Sequence, residues 1–296
     1  MCGIAGVVSP SAGSDLREVV KRMAAELSHR GPDDQGDWVD MSCGVALAHR
    51  RLSIIDVTTQ GHQPMHSASG RFVVVYNGEI YNFEEIRREL EAIDSAPAWR
   101  GHSDTEVLLA AIEAWGLDEA LARFVGMFAI ALWDRKTKSL FLARDRVGEK
   151  PLYFGNTSLG FVFASELKAI RAVCEDSLEL DQRAVADFMQ FGYIPAPRSI
   201  FRRIAKLRPG HVVRLDSCLT PGVPRPYWEL DSGGAKYQAE QIAVAEDDQL
   251  VDLLHSTLQT SVSQQMVSDV SLGAFLSGGV DSSTIVALMQ ARSAGA

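Results

Sequence analysis

The second residue of the chain is a cysteine, in the opening sequence MCGIAGVV. A thiolate is a strong nucleophile, but only a few per cent of an ordinary thiol is ionised at neutral pH. If Met1 is removed, Cys2 gains an α-amine, whose ordinary pKa of about 7.7–8.0 leaves a fraction neutral and able to take the thiol proton. The alternative is a core cysteine that begins a strand, and its position alone does not separate the two interpretations.

A second group of residues suited to chemistry is the sequence FLSGGVDSST, near residue 280. An apolar strand precedes the glycine pair and an apolar helix follows it, and backbone N–H groups at a helix N-terminus bind phosphate. It is not a Walker A loop, because Gly279 stands where that motif requires lysine. The alternative is a turn in which Asp281 caps a helix. A metal site is not expected at His62 and His66, because Gln63-Pro64 between them prevents a shared helical face.

The composition is that of a globular protein large enough for one or two domains: 296 residues, of which 46% are hydrophobic. The formal net charge of −9 argues against nucleic acid and anionic membrane as partners, since both reward clustered Lys and Arg. The sequence has no apolar stretch of about 20 residues and no secretory signal. The four cysteines form no CxxC pair, so we expect reduced thiols and a cytoplasmic protein.

The elements that would position these groups mix strands and helices without regular βαβ alternation. Periodicity predicts strands at 2–9, 44–56, 71–80 and 211–215, a dense set of antiparallel strands at 126–166, and helices at 15–30, 83–92, 104–115 and 181–191. Ser103 and Glu106 suggest a capping box for the helix at 104–115. Prolines and glycines at 216–246 predict a linker, followed by a helix at 247–267 and a strand at 272–276. This pattern predicts an α+β layered domain first.

Eight motifs in order resemble the glutaminase domain of class II glutamine amidotransferases, over residues 2 to about 215. They are MCGIAGVV, SHRGPDDQG, LAHRRLSIID, YNGEIYNFEEIR, GHSDTEVLL, GMFAIALWD, RDRVGEKPLYF and FASELKAI. The resemblance implies a four-layer αββα N-terminal-nucleophile hydrolase fold. It also implies hydrolysis of glutamine to glutamate and ammonia.

The resemblance also implies roles for individual residues. Cys2 would attack the glutamine amide carbon, with Asn77 and Gly78 as the oxyanion pair, although Asn-Gly between strands is equally typical of a type I′ turn. Arg51, rather than the adjacent Arg50, would bind the α-carboxylate. The implied glutamine site comprises Arg51, Leu52, Ser53, Ile54, Ile55, Asn77, Gly78, Glu79 and Asp104, of which Glu79 and Asp104 would receive the α-amine. Asp104 also suits a helix N-terminus. No chemical step is assigned to HRGPD at 29–33.

The motif SGGVDSS is similar to the pyrophosphate loop of ATP pyrophosphatases. Together with the glutaminase motifs it resembles glutamine-hydrolysing asparagine synthetases, in which ATP activates the aspartate β-carboxylate for attack by ammonia. The resemblance implies ATP, with Mg²⁺, as the cofactor of this part. It implies ATP contacts at Phe275, Ser277, Gly278, Gly279, Asp281 and Ser282.

The expected domain organisation is a glutaminase domain at 2–215, a linker at 216–246 and the beginning of an α/β nucleotide-binding synthetase domain at 247–296. Only 17 residues follow Gly279, fewer than a βαβ unit requires, so we expect a truncated synthetase half that makes no asparagine. The alternatives are amidation of another carboxylate, such as a sugar acid or antibiotic precursor, and a non-catalytic remnant. A homodimer remains open.

Overall fold

A computed structural model describes the chain in two compact units, Met1–Trp228 and Glu229–Ala296. The described residues are 1–9, 15–174, 178–216, 220–230, 239, 242–243 and 246–293. The first unit extends beyond residue 215 because a short strand at Arg225–Pro226 pairs with the strand at His211–Leu215. The linker at 216–246 stays a prediction.

The first unit is built from two antiparallel sheets. Its described strands are β1 (Gly3–Val8), β2 (Asp34–Asp40), β3 (Val45–Arg51), β4 (Met65–His66), β5 (Phe72–Ile80), β6 (Gly126–Asp134), β7 (Ser139–Arg144), β8 (Tyr153–Thr157), β9 (Gly160–Ala164), β10 (Ile204–Lys206), β11 (His211–Leu215) and β12 (Arg225–Pro226). One sheet has the order β10-β8-β9-β1-β3-β2 and the other β12-β11-β7-β6-β5-β4. The strand that carries the N-terminal cysteine is therefore interior to its sheet.

Helices lie against both sheets of the first unit. The described helices of this unit are α1 (Leu16–Ala25), α2 (Phe83–Ala92), α3 (Asp104–Trp115), α4 (Leu117–Arg123), α5 (Leu167–Cys174) and α6 (Gln182–Phe191). Helices α1 and α5 pack on the first sheet, whereas α3 contacts β5 of the second and packs beside α2 and α4. A shared apolar core that includes Ile4, Leu47, Val75 and Trp133 lies between the sheets. This arrangement confirms the predicted αββα layering.

Three predicted elements differ from the observed ones. The strand expected over 44–56 spans only Val45–Arg51. The helix expected over 15–30 ends at Ala25, and residues 26–30 form turns. The strand expected at 272–276 is wrong, because these residues have no regular secondary structure. A strand needs a neighbour for its backbone hydrogen bonds, and β12, the last strand in the described part of the chain, ends at Pro226.

The second unit contains helices α7 (Asp247–Gln265) and α8 (Val280–Ser293). The two helices contact each other, and many of their apolar side chains are exposed, among them Val251, Leu254 and Val280. A capping box at Glu246 and Gln249 begins α7. No helix among the described residues has the length and apolar character needed to cross a membrane.

Candidate active site

One cavity of the first unit, of about 230 Å³, collects most of the residues that the sequence singled out. It contains Cys2, Arg51, Leu52, Ile54, Ile55, Asn77, Gly78, Glu79 and Asp104. Ser53 is the exception: it does not line the cavity, and its backbone N–H donates to Asp33 Oδ2 at 2.8 Å. The lining also includes residues that the sequence did not suggest: Met1, Gly61, Gln63, Tyr76, Ser103, Thr105, Met127 and Lys150.

The candidate nucleophile lies directly before β1. Two hydrogen bonds between Ile4 and Ser165 fix this strand end, from Ile4 N to Ser165 Oγ at 3.0 Å and from Ser165 N to Ile4 O at 2.9 Å. The Cys2 Sγ atom accepts from Leu52 N at 3.4 Å. Burial raises the pKa of the Cys2 thiol, and the Leu52 N–H and the N-terminal ammonium of Met1 oppose this effect. A base close to the sulfur is therefore required for thiolate formation near neutral pH.

Arg30, from the HRGPD segment, holds the backbone of the nucleophile. Its Nε donates to the carbonyl oxygen of Cys2 at 2.8 Å, and its Nη1 donates to Glu166 Oε1 at 2.8 Å. The Arg30 side chain is only 8% exposed. Since charge-assisted hydrogen bonds are stronger than neutral ones, this pair restricts where the N-terminus lies. Sequence reasoning gave Arg30 no role.

Asn77 and Gly78 lie inside β5, not in a hairpin turn. Asn77 pairs with Ala129 and Gly78 with Phe128 of β6, so the type I′ turn is excluded. The Asn77 side chain is buried, and its Nδ2 has no hydrogen-bond partner among the described residues. A Cβ at position 78 would overlap the carbonyl oxygen of Met127, which explains the glycine. A buried donor without a partner is costly and is available to a ligand.

Arg51 and Arg50 point to different parts of the unit because successive side chains of a strand alternate between its two faces. Arg50 Nε donates to Ala24 O of α1 at 3.1 Å. Arg51 lines the cavity, and its guanidinium donates to the carbonyls of Thr58 at 2.8 Å and of Asp56. A side chain at Gly61 would overlap Arg51 Nη2. The loop after β3 therefore fixes the guanidinium.

Two carboxylates, Asp104 and Glu79, line the same cavity. Asp104 is the first residue of α3, after the N-cap Ser103. Its Oδ2 accepts from Tyr76 Oη at 2.8 Å and from Ile80 N at 3.0 Å. Burial raises the pKa of Asp104. Burial and the Asp104 charge also raise the pKa of Glu79.

The expected capping box at α3 is only half formed. Ser103 Oγ accepts from Glu106 N at 3.3 Å, as predicted. The Glu106 carboxylate instead accepts from the backbone N–H groups of Arg100 and Gly101, and so it fixes the segment before the helix.

The ATP-related residues predicted from the sequence lie in the second unit and are largely exposed. Phe275 is fully exposed, and α8 begins at Val280, directly after Gly279. Ser277 Oγ and Ser282 Oγ lie 2.9 Å apart, and Ser282 Oγ donates to Gly279 O at 3.2 Å. Gly278 has a φ of +80°, which favours glycine. The hydroxyls of Ser277 and Ser282 therefore bond within the loop. The same segment, at the start of α8, contains Gly278, Gly279 and Asp281.

The described residues hold no group of three or more His, Cys, Asp or Glu side chains that could bind a metal ion. His62 instead contacts Asp34, from Nδ1 to Oδ2 at 2.7 Å.

Two sheets between helical layers, with a cysteine before an interior strand, define an N-terminal-nucleophile hydrolase fold. Residues 1–228 match the glutamine amidotransferase domain family, and the chain belongs to this family. Residues 253–296 match the asparagine synthase family.

The chain spans about half the length of the curated relatives that it matches. The putative glutamine-hydrolysing asparagine synthetase of Mycobacterium tuberculosis (strain H37Rv) is 37% identical over 305 residues, which cover 97% of this chain and 45% of the relative. Asparagine synthetase 1 of Bacillus subtilis is 36% identical and covers 97% of this chain and 44% of the relative. Amidase chry2 of Gibberella zeae is 31% identical, with coverages of 98% and 43%.

Solved structures agree in fold. The glutamine phosphoribosylpyrophosphate amidotransferase of Bacillus subtilis, complexed with ADP and GMP, gives a TM-score of 0.57 at 18% identity. The match covers 77% of this chain and 49% of that one. At this identity the likeness concerns the fold alone.

Proposed function

We propose that the first unit hydrolyses the side-chain amide of glutamine to glutamate and ammonia. The observation that carries this proposal is the chemistry of one cavity, which contains a thiol, an unpartnered amide donor, a fixed guanidinium and two carboxylates. Glutamine carries the matching groups: an amide carbon, a carbonyl oxygen, an α-carboxylate and an α-ammonium. Family membership supports the same activity.

The proposed reaction begins after Met1 is removed. The α-amine of Cys2 takes the thiol proton, and the sulfur attacks the amide carbon to form a C–S bond while the carbonyl electron pair moves to oxygen. Asn77 Nδ2 and the N–H of Gly78 stabilise that oxyanion, and each such donor is worth about 3–4 kcal/mol in comparable sites. The C–N bond then breaks, the α-ammonium returns its proton to the leaving nitrogen, and ammonia leaves a thioester.

Hydrolysis of the thioester completes the cycle. Water adds to the same carbon with the α-amine as base, the C–S bond breaks, and the sulfur recovers its proton as glutamate leaves. The substrate is held throughout by Arg51 at its α-carboxylate and by Glu79 and Asp104 at its α-ammonium, with Leu52, Ile54 and Ile55 against its carbon chain. An arginine fits a carboxylate because its planar guanidinium donates two parallel hydrogen bonds.

We further propose that the ammonia serves an ATP-dependent amidation of aspartate to asparagine in the whole protein. The support is the match of residues 253–296 to the asparagine synthase family and the names of the relatives. Ser277, Gly278, Gly279, Asp281, Ser282 and the backbone of Phe275 would contact ATP, with Mg²⁺ as the accompanying ion. Backbone N–H groups at the start of α8 suit a phosphate. Another acceptor carboxylate is the alternative, and a homodimer is compatible with this proposal.

We expect the cytoplasm as the compartment, because a catalytic thiol must stay reduced. Among the described residues, Cys2, Cys43 and Cys174 are thiols that form no disulfide with one another.

The experiment that tests the glutaminase proposal combines mass spectrometry with labelling. The purified protein should lack Met1, and a glutamine analogue with an electrophilic diazoketone should add to Cys2 alone. Free glutamine should protect Cys2 from the label. A retained Met1, or labelling that glutamine does not slow, would favour the non-catalytic remnant.

A further inference from the structure

Lys150 is a buried cation of the cavity that has no step in the proposed reaction. It lies in the loop between β7 and β8 and is only 4% exposed. Its backbone is fixed, since its N–H donates to Asp145 Oδ2 at 2.9 Å and its carbonyl accepts from Arg144 Nε at 2.7 Å. Its side chain lines the cavity together with Cys2 and Glu79. Lysine is rarely buried without a partner, so its position requires an explanation.

The ammonium of Lys150 affects the ionisation of Glu79 electrostatically, across the cavity and without a direct ion pair. In the part of the chain that the structure describes, no ion pair within 4.0 Å joins Lys150 to a carboxylate. Burial lowers the pKa of Lys150, and Glu79 gives the largest opposing contribution, ahead of Glu149 and Cys2. Reciprocally, Lys150 lowers the pKa of Glu79 against the effects of burial and Asp104.

The charges of the cavity explain why this cation is needed. Glu79 and Asp104 are two carboxylates in one small cavity, and such pairs tend to retain a proton. Asp104 accepts hydrogen bonds from Tyr76 and Ile80 that stabilise its ionised form. Glu79 has no comparable side-chain hydrogen bond among the described residues, so Glu79 is the carboxylate that would become protonated.

We propose that Lys150 is a positioning residue that keeps Glu79 ionised, so that Glu79 receives the α-ammonium of glutamine. This inference rests on the proposed glutaminase function. The groups that face Glu79 are Asp104 of α3, Lys150, the N-terminal ammonium of Met1 and the phenols of Tyr76 and Tyr81. Lys150 is the side-chain cation of this set, and it stays in place when Met1 is removed.

The kinetic test compares Lys150→Met, which removes the charge at similar length, with Lys150→Arg, which keeps it. We expect Lys150→Met to raise the KM for glutamine at pH 6, by at most about tenfold for a rise of about one pH unit in the pKa of Glu79. The increase should be smaller at pH 8, because more of Glu79 is ionised in both proteins, and kcat should not change. Lys150→Arg should restore the low KM.

A double mutant separates this role from direct stabilisation of the Cys2 thiolate. In a Glu79→Gln background, Lys150→Met should raise KM no further, since there is no carboxylate left to ionise. An equal effect in both backgrounds, an increase in KM that is the same at pH 6 and pH 8, or a fall in kcat at constant KM would each overturn the inference.

A titration that needs no activity distinguishes failure of this inference from failure of the proposed function. Carboxyl ¹³C NMR of the Glu79 side chain should show a pKa about one pH unit higher in Lys150→Met than in the unsubstituted protein. An unchanged pKa overturns the role of Lys150 even if glutamine is hydrolysed. A raised pKa in a protein that never hydrolyses glutamine supports the electrostatic role and counts against the glutaminase proposal.

Discussion

The two units each contain a glycine-bearing motif, and they differ in what surrounds it. Asn77-Gly78 lies in a strand paired with β6, and the Asn77 amide is buried without a partner. The Ser277–Ser282 loop is exposed, and its hydroxyls bond to each other and to the backbone of the loop. A motif becomes a preorganised site when packing removes water and leaves a donor unpaired. The first unit meets both conditions.

The largest expected effect is loss of the nucleophile. Cys2→Ala should lower the rate of glutamate release at least about 1,000-fold, because the thioester cannot form. Cys43→Ala is the matched control, since Cys43 is a free cysteine that does not line the cavity, and it should keep the full rate. Equal rates in Cys2→Ala and the unsubstituted protein would refute the mechanism.

The next effect concerns the unpartnered donor of β5. Asn77→Ala should lower kcat about 100- to 1,000-fold with little change in KM, because the amide stabilises an oxyanion that exists only after attack. Steady-state kinetics with glutamine measure both constants. If KM alone changes, Asn77 binds substrate instead of stabilising the oxyanion.

The third prediction uses the two adjacent arginines at the end of β3. Arg51→Met should raise KM roughly 10- to 100-fold, since each hydrogen bond to a charged group is worth about 1.5–3 kcal/mol. Arg50→Met should have a smaller effect on KM, because Arg50 contacts α1 and not the cavity. A larger effect at Arg50 would show that the assignment of the two faces is wrong.

The fourth prediction compares a histidine of each unit by its effect on the unfolding free energy at acid pH. His49 in β3 is buried, and burial lowers its pKa from 6.5 to about 4. His49 therefore binds a proton more strongly in the unfolded chain than in the folded one. Its full contribution to the unfolding free energy is present above pH 6.5. That contribution is lost as the pH falls towards 4, a decrease of about 3 kcal/mol.

Denaturant unfolding at several pH values measures this decrease. His49→Gln should flatten the acid limb of the stability profile. His255→Gln, on α7 of the second unit, should leave that limb unchanged. An unaltered acid limb in His49→Gln would contradict the assignment.

The smallest expected effect on the rate of glutamine hydrolysis is that of proteolytic cleavage between the two units. The exposed apolar side chains of α7 and α8 predict rapid proteolysis of the second unit. The Met1–Trp228 unit has its own core and should survive. The rate of glutamine hydrolysis should stay constant while gel electrophoresis shows that the second unit is digested. A rate that falls in parallel with cleavage would show that the two units depend on each other.

Sequence patterns predicted most of the first unit because its signals were local and repeated. Strand periodicity located β1, β5 and the strands from β6 to β9, and the ordered motifs indicated the αββα layering. The predicted strand at 272–276 failed because an apolar run forms a strand only beside another strand.

The sequence predicted only some residues of the candidate site. Motifs indicated Cys2, Arg51 and Asp104. They did not indicate Arg30 and Lys150, which lie in loops whose positions depend on tertiary contacts. The resemblance also implied Ser53, which does not line the cavity and whose backbone N–H donates to Asp33. From its two residues alone Asn77-Gly78 would be a turn; the surrounding YNGEIYN motif favoured the oxyanion pair, and the pairing with β6 excludes the turn.

Met1 lines the cavity in front of the nucleophile, which has a practical consequence for handling the protein. An affinity tag fused ahead of Met1 would keep the nitrogen of Cys2 in a peptide bond and would extend the chain into the space that glutamine needs. Such a preparation would fold and still be inactive. Recombinant protein should therefore begin at Met1 and be produced in cells whose methionine aminopeptidase is active.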